Sequence, residues 1–110
     1  MVYMGEWQLG KPDGKGRAYY SDGSVYEGEF SKGVPMGHGK YVIANGDYYE
    51  GDVHSGKAHG KGCYITSTSM FQGEFVNDMR EGWGVEQTSE YHFEGTFKAG
   101  ERLSGTLTWG

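Results

Sequence analysis

The sequence predicts an all-β protein made of about five repeated hairpins, with no helix. Three observations carry this. An aromatic-x-Gly-x motif recurs at a near-constant interval. Short β-prone runs alternate with turn-forming dipeptides. No window joins an amphipathic 3.6-residue period to a helix cap. Composition agrees: the 110 residues hold 21 glycines, 9 Tyr, 5 Phe and 3 Trp, yet only 35% are hydrophobic. With few leucines or isoleucines, the core must be thin and aromatic. Collagen is excluded because no three-residue glycine period runs through the chain. Disorder is excluded because aromatics return at fixed spacing.

The first unit opens at Tyr3-Met4-Gly5-Glu6-Trp7 and the second at Tyr26-Glu27-Gly28-Glu29-Phe30. The third opens at Tyr49-Glu50-Gly51-Asp52-Val53, the fourth at Phe71-Gln72-Gly73-Glu74-Phe75 and the fifth at Phe93-Glu94-Gly95-Thr96-Phe97. The intervals are 23, 23, 22 and 22 residues, the mark of a repeat array. A glycine pair follows each of the first four openings: Gly14/Gly16, Gly37/Gly39, Gly60/Gly62 and Gly82/Gly84. The units are therefore 3–25, 26–48, 49–70, 71–92 and a truncated 93–110, in one array spanning 1–110.

Each unit reads as a hairpin. The opening segment alternates with a period of two, and closing segments such as Lys40-Tyr41-Val42-Ile43 and Cys63-Tyr64-Ile65-Thr66 are β-prone. Asp22-Gly23 and Asn45-Gly46 suit two-residue type I′ turns, which need φ > 0 at both positions. Such loops pair Ile43 with Tyr48, Val42 with Tyr49 and Lys40 with Gly51, and likewise Tyr20 with Val25, Tyr19 with Tyr26 and Arg17 with Gly28. Long or aromatic side chains then cover glycines across the strand gap, so that one sheet can bury surface. The later turns, near Thr68-Ser69 and Ser89-Glu90, lack glycine and are a residue shorter.

These residues resemble the MORN (membrane occupation and recognition nexus) repeat, whose pattern is Tyr-x-Gly-x-Phe/Trp, a glycine-containing loop and then Gly-x-Gly. Tyr26-Glu27-Gly28-Glu29-Phe30 with Lys32-Gly33 and Gly37-His38-Gly39 carries it, as does Tyr49-Glu50-Gly51-Asp52 with Gly56 and Gly60-Lys61-Gly62. The fourth unit departs from it, with Asp78 where Gly10, Gly33 and Gly56 stand, and the fifth keeps Gly105 as its only late glycine. The resemblance implies an elongated, single-layer antiparallel sheet of stacked hairpins. It also implies a scaffold that binds proteins or membranes rather than an enzyme, or an accessory module of a larger enzyme such as a lipid kinase or methyltransferase. No capping element is expected within these residues.

Candidate sites follow from chemistry. Glu6, Glu27, Glu29, Glu50, Asp52 and Glu74 recur with the repeat and so read as a solvated strand face, since a catalytic carboxylate pair is placed once. Cys63, the one cysteine, reads as a packed strand residue, and its solitude points to a reducing, cytoplasmic setting. His38, His54, His59 and His92 form no closed ligand set, so neither metal nor cofactor is expected. The Gly-x-Gly pairs precede strands, not helices, so they cradle no phosphate. Met1 to Glu6 has no signal-peptide pattern, and no apolar run reaches the roughly 20 residues of a membrane span.

The aromatic rows are the strongest candidate. Tyr3, Tyr26, Tyr49, Phe71 and Phe93 form one, and Trp7, Phe30, Phe75 and Phe97 the other, broken by Val53. A single-layer sheet has no second layer to cover them, so part stays exposed as a groove for a peptide or amphipathic helix of a partner protein. The alternative is a basic loop edge of Lys11, Lys15, Arg17, Lys32, Lys40, Lys57 and Lys61 binding anionic lipid, with cytoskeletal or membrane association. Nucleic acid is not expected of a chain with net charge −5, whose acidity gathers in the fourth unit through Glu74, Asp78, Glu81, Glu86 and Glu90. Leu103, Leu107 and Trp109 form an apolar cluster at the last strand, suited to self-association as a homodimer.

Overall fold

The computed structural model describes residues 1–109. They form one open sheet of ten antiparallel strands in chain order, with no helix among the described residues. The strands are β1 (Val2–Gln8), β2 (Lys11–Tyr19), β3 (Val25–Ser31), β4 (Val34–Val42) and β5 (Tyr48–His54). They continue with β6 (Lys57–Ile65), β7 (Ser69–Val76), β8 (Met79–Thr88), β9 (Tyr91–Lys98) and β10 (Glu101–Trp109). The molecule measures 51 × 24 × 17 Å. Its long axis runs across the strands, as ten strands about 4.8 Å apart require.

Two kinds of turn alternate. The tight ones are Leu9-Gly10, Lys32-Gly33, Ser55-Gly56, Asn77-Asp78 and Ala99-Gly100, and both residues of each have positive φ. These are the type I′ turns. The turns predicted as type I′ are not. At Asp22-Gly23 and Asn45-Gly46 only the glycine is left-handed, with φ of 92° and 97°. Gly23 N–H donates to the Tyr20 carbonyl at 3.1 Å and Tyr20 N–H to that of Ser24 at 2.9 Å, making a three-residue loop. Ile43 and Asp47 close the same loop around Asn45-Gly46. The Asp22 and Asn45 side chains accept the N–H groups of Ser24 and Asp47, both at 2.9 Å, which holds the polar residue out of the left-handed region. One extra loop residue shifts the register by one. Val42 pairs with Tyr48 and Tyr41 with Tyr49, while Ala18 pairs with Tyr26 and Arg17 with Glu27. The two later turns at this end, Ser67-Thr68 and Ser89-Glu90, are two-residue loops without glycine, and there the Thr66 and Thr88 hydroxyls accept the loop N–H groups instead.

The corrected register sets glycine against glycine at every interface. Gly5 faces Gly16, which faces Gly28, and the line continues through Gly39, Gly51, Gly62, Gly73, Gly84 and Gly95 to Gly105. The first aromatic of each unit lies flat over this line. A Cβ on Gly39 would stand 2.2 Å from the Tyr26 hydroxyl oxygen, and one on Gly62 the same distance from that of Tyr49. Rings do cover glycines, as expected, although not in the expected pairs. Beside the line each opening strand meets its partner across a bulge, as where Gly28 faces Gly39 but Phe30 faces Pro35. The rings interlock edge to face between units, with Tyr3 and Phe30 4.9 Å apart, Tyr49 and Phe75 5.1 Å, and Phe71 and Phe97 5.0 Å. Tyr20, Tyr41 and Tyr64 from the closing segments, and Tyr91 at the start of β9, pack against this cluster. This is the core, and it occupies one face of one sheet.

Candidate functional site

The aromatic rows are therefore consumed by folding. Tyr26, Phe30, Tyr49, Phe71, Phe75, Phe93 and Phe97 are all buried, at 0–5% exposure. The expectation of an open aromatic groove is corrected: a ring that lies on bare glycine backbone and meets the next ring edge-on needs no second layer. Of the two rows only Tyr3 and Trp7 remain accessible, and Trp7 packs on Tyr3 at 4.9 Å. The phenols are structural too. Tyr3, Tyr26 and Tyr49 donate to the carbonyls of Glu6, Glu29 and Asp52 at 2.6, 2.9 and 2.7 Å. Burial, reinforced by Glu29, pushes the Tyr26 hydroxyl up to about 12.

The opposite face is open. There the residues flanking the glycine line on each strand stand as two walls, and the glycines form the floor of a trough. Two clefts lie along it, of about 670 and 810 Å³, and they share His38 and Glu50. One runs over Gly16, Gly28 and Gly39, the other over Gly51, Gly62 and Gly73. The first has balanced walls, Lys15, Arg17 and Lys40 against Glu27, Glu29 and Glu50. Arg17 Nε donates to Glu27 at 2.6 Å. The Lys40 ammonium lies 4.4 Å from the centre of the Tyr48 ring.

This placement divides the predicted basic edge. Lys11, Lys32 and Lys57 sit at or beside the tight turns, as expected. Lys15, Arg17, Lys40 and Lys61 do not, for they line the trough opposite carboxylates. At the turn end the lysines are interleaved with Asp13, whose carboxylate accepts Lys32 N–H at 3.2 Å, and Asp78, which accepts Ala58 N–H at 2.8 Å. No continuous basic stripe forms among the described residues.

The recurring acids are only half a solvated face. Glu6, Glu29 and Asp52 accept the backbone N–H of Lys15, His38 and Lys61 at 2.6, 2.8 and 3.1 Å, tying each bulge shut. Glu27 and Glu50 belong to the trough. In the fourth unit Glu86 is nearly buried. It bridges Arg80 at 3.2 Å and Arg102 at 2.8 Å, and these guanidiniums lie over the Phe71 and Tyr91 rings at 4.4 and 4.9 Å. Burial alone would raise its carboxyl, but the hydrogen bonds from Arg102 and Arg80 outweigh that and hold it below the usual range. Burial, with Glu50 beside it, pushes the Cys63 thiol up, the wrong direction for a nucleophile. His38 Nδ1 lies 3.7 Å from Asp52 and His92 Nε2 2.9 Å from Glu94, while His54 and His59 are ring neighbours.

Leu103, Leu107 and Trp109 are all exposed on β10, and Trp109 turns back against the Tyr91 ring at 5.6 Å. Trp83 and Val85, which the motif reading passes over, stand in the walls of the larger cleft. Their signal in the sequence is a break of the repeat, since Trp83 replaces Lys15, His38 and Lys61 of the earlier units.

The model of the MORN repeat family matches residues 3–25, 26–48, 49–69 and 71–89. No curated protein matches the chain. β9 and β10 lie beyond the last match and carry the same hairpin on. MORN repeats form repeat-module scaffolds, often membrane- or protein-binding, and the family is generally non-catalytic. Ten meandering strands, the glycine line and four consecutive matches lead to one assignment: the chain belongs to the MORN repeat family.

Proposed function

We propose that this chain is a non-catalytic scaffold that holds an extended segment of a partner protein along the glycine-floored trough. The observation that carries the reading is the asymmetry of the sheet. One face is sealed by its own rings, while the other presents two adjoining clefts with charged walls. The walls rise two residues apart on each strand, roughly 7 Å. An α-helix with its side chains is about 10–12 Å across and rides above that gap, whereas an extended chain enters it. Hence the partner is an extended peptide and not the amphipathic helix.

Site-specific photocrosslinking tests this. A benzoylphenylalanine replacing Lys40 in the trough is expected to give protein adducts in a cell extract, and the same group replacing Lys11 at the turn end is not. Adducts from position 11 alone would overturn the reading. So would tight sedimentation with phosphatidylserine vesicles, abolished by Lys11→Glu, Lys32→Glu and Lys57→Glu together. That outcome would establish the membrane adaptor instead.

A further inference from the structure

We infer that the stretch of the trough around Trp83 and Val85 is the specificity anchor, taking an apolar side chain of a basic segment. The inference rests on the reading of the trough as a peptide site and adds the chemistry of the occupant.

Repeat arrays offer an internal control that other folds lack, because equivalent positions share one structural duty. On this face the wall position before the second glycine of the pair is Lys15, His38 and Lys61 in the first three units, and Trp83 in the fourth. The position after it is Arg17, Lys40 and Cys63, and then Val85. The hairpin thus folds with a lysine there, and folding has no need of an indole. Nor does the indole find cover. Trp83 is 57% exposed. Trp7 and Trp109 each pack on a tyrosine ring, while Trp83 joins no ring pair among the described residues. Tryptophan, with tyrosine and arginine, is enriched among the few side chains that dominate binding energy.

The charge around it selects the occupant. Glu74 follows Gly73, the glycine that faces Gly84, and so stands across from Trp83; Glu94 is the cross-strand partner of Val85, and Glu50 lies at the cleft's far end. The lining of the larger cleft itself holds two carboxylates, Glu50 and Glu74, against one lysine, Lys61, the cross-strand partner of Glu74. The smaller cleft is balanced, so the trough is polar and neutral toward β2 and apolar and acidic toward β8. A segment carrying an aromatic or aliphatic residue and a nearby Lys or Arg satisfies both features. The apolar side chain covers the indole, and the cation meets Glu74 or Glu50 and the indole face. From β8 to β5 is three strand spacings, about 14 Å, which an extended chain crosses in about four residues. The occupant therefore has its cation within about four residues of its apolar anchor.

Selection of random dodecapeptides displayed on phage against the immobilised full chain tests this. Enriched peptides are expected to combine an apolar residue with Lys or Arg within four positions. They are expected to bind the Trp83→Lys chain at least tenfold more weakly and the Glu74→Lys chain several-fold more weakly. Trp83→Lys installs the residue of the first and third units, so the variant should keep its thermal midpoint. Peptides that are acidic, or that bind Trp83→Lys as well as the parent, overturn the anchor. If those same peptides are lost with Glu27→Lys or Glu50→Lys, the trough reading stands while the anchor falls. Peptides indifferent to every trough variant, or no enrichment at all, overturn both.

Discussion

Leu9, Lys32, Ser55, Asn77, Asp78 and Ala99 hold φ between 48° and 71° without being glycine. For an L-residue the left-handed conformation costs about 1–2 kcal/mol, less for Asn and Asp. Leu9, 95% exposed, gains no burial to offset it. Leu9→Asn is therefore expected to raise stability by about 0.5–1 kcal/mol, read from the urea midpoint. Glu86 is the opposite case, a nearly buried charge that both guanidiniums satisfy. Its carboxyl titrates lower in the folded chain than in the unfolded one. The stability it contributes is thus complete above the unfolded value, near 4.3, and is lost as pH falls through the lower folded value. Glu86→Gln is expected to cost about 1–2 kcal/mol at pH 7, discounted because both arginines are partly exposed. Thermal midpoints of the two proteins should converge in acid. A difference that persists at pH 2 would assign the loss to shape and not to charge.

At the level of the hairpin, the glycine line and the turns make different demands. Gly39→Ala drives a methyl into the fully buried Tyr26 ring and is expected to destabilise by about 2–4 kcal/mol. Gly46→Ala meets nothing within 4 Å and bears only the strain of φ 97°, about 1 kcal/mol. Guanidinium titrations of both variants check the order. Hairpin number and chain order are legible in the sequence because each unit repeats the same aromatic-Gly spacing and nothing competes with it. Register is not, because Asn-Gly and Asp-Gly serve equally as a type I′ pair or as the end of a three-residue loop, and the Asx hydrogen bond decides between them. The true type I′ sites, such as Leu9-Gly10 and Lys32-Gly33, carry only one turn-forming residue each. The rows of aromatics are likewise legible, but their burial is not. It depends on Gly39 lying under Tyr26 and Gly62 under Tyr49, which a one-residue slip conceals. The trough follows from that same register, so its walls emerge only with the fold.

Across the whole molecule, each strand makes its main contacts with its chain neighbours alone. Stability is then close to a sum of hairpin terms and nearest-neighbour interfaces. Gly39→Ala is expected to speed amide hydrogen exchange in β3–β5 while β8–β10 stay protected. Equal acceleration everywhere would mean one cooperative unit. The same adjacency has a mechanical side. The 51 Å axis lies along the direction of the interstrand hydrogen bonds, so tension applied between β1 and β10 pulls the ladders in series along their bonds and not in shear, and the weakest gives way first. Hairpins open singly under such a pull. Each repeat yields roughly 75 Å of contour, and the 109 described residues extend to roughly 370 Å. A partner lying across several ladders in the trough bridges every seam it covers. It would stiffen the array along that length, making an occupied array a short strut and an empty one a long, soft spring.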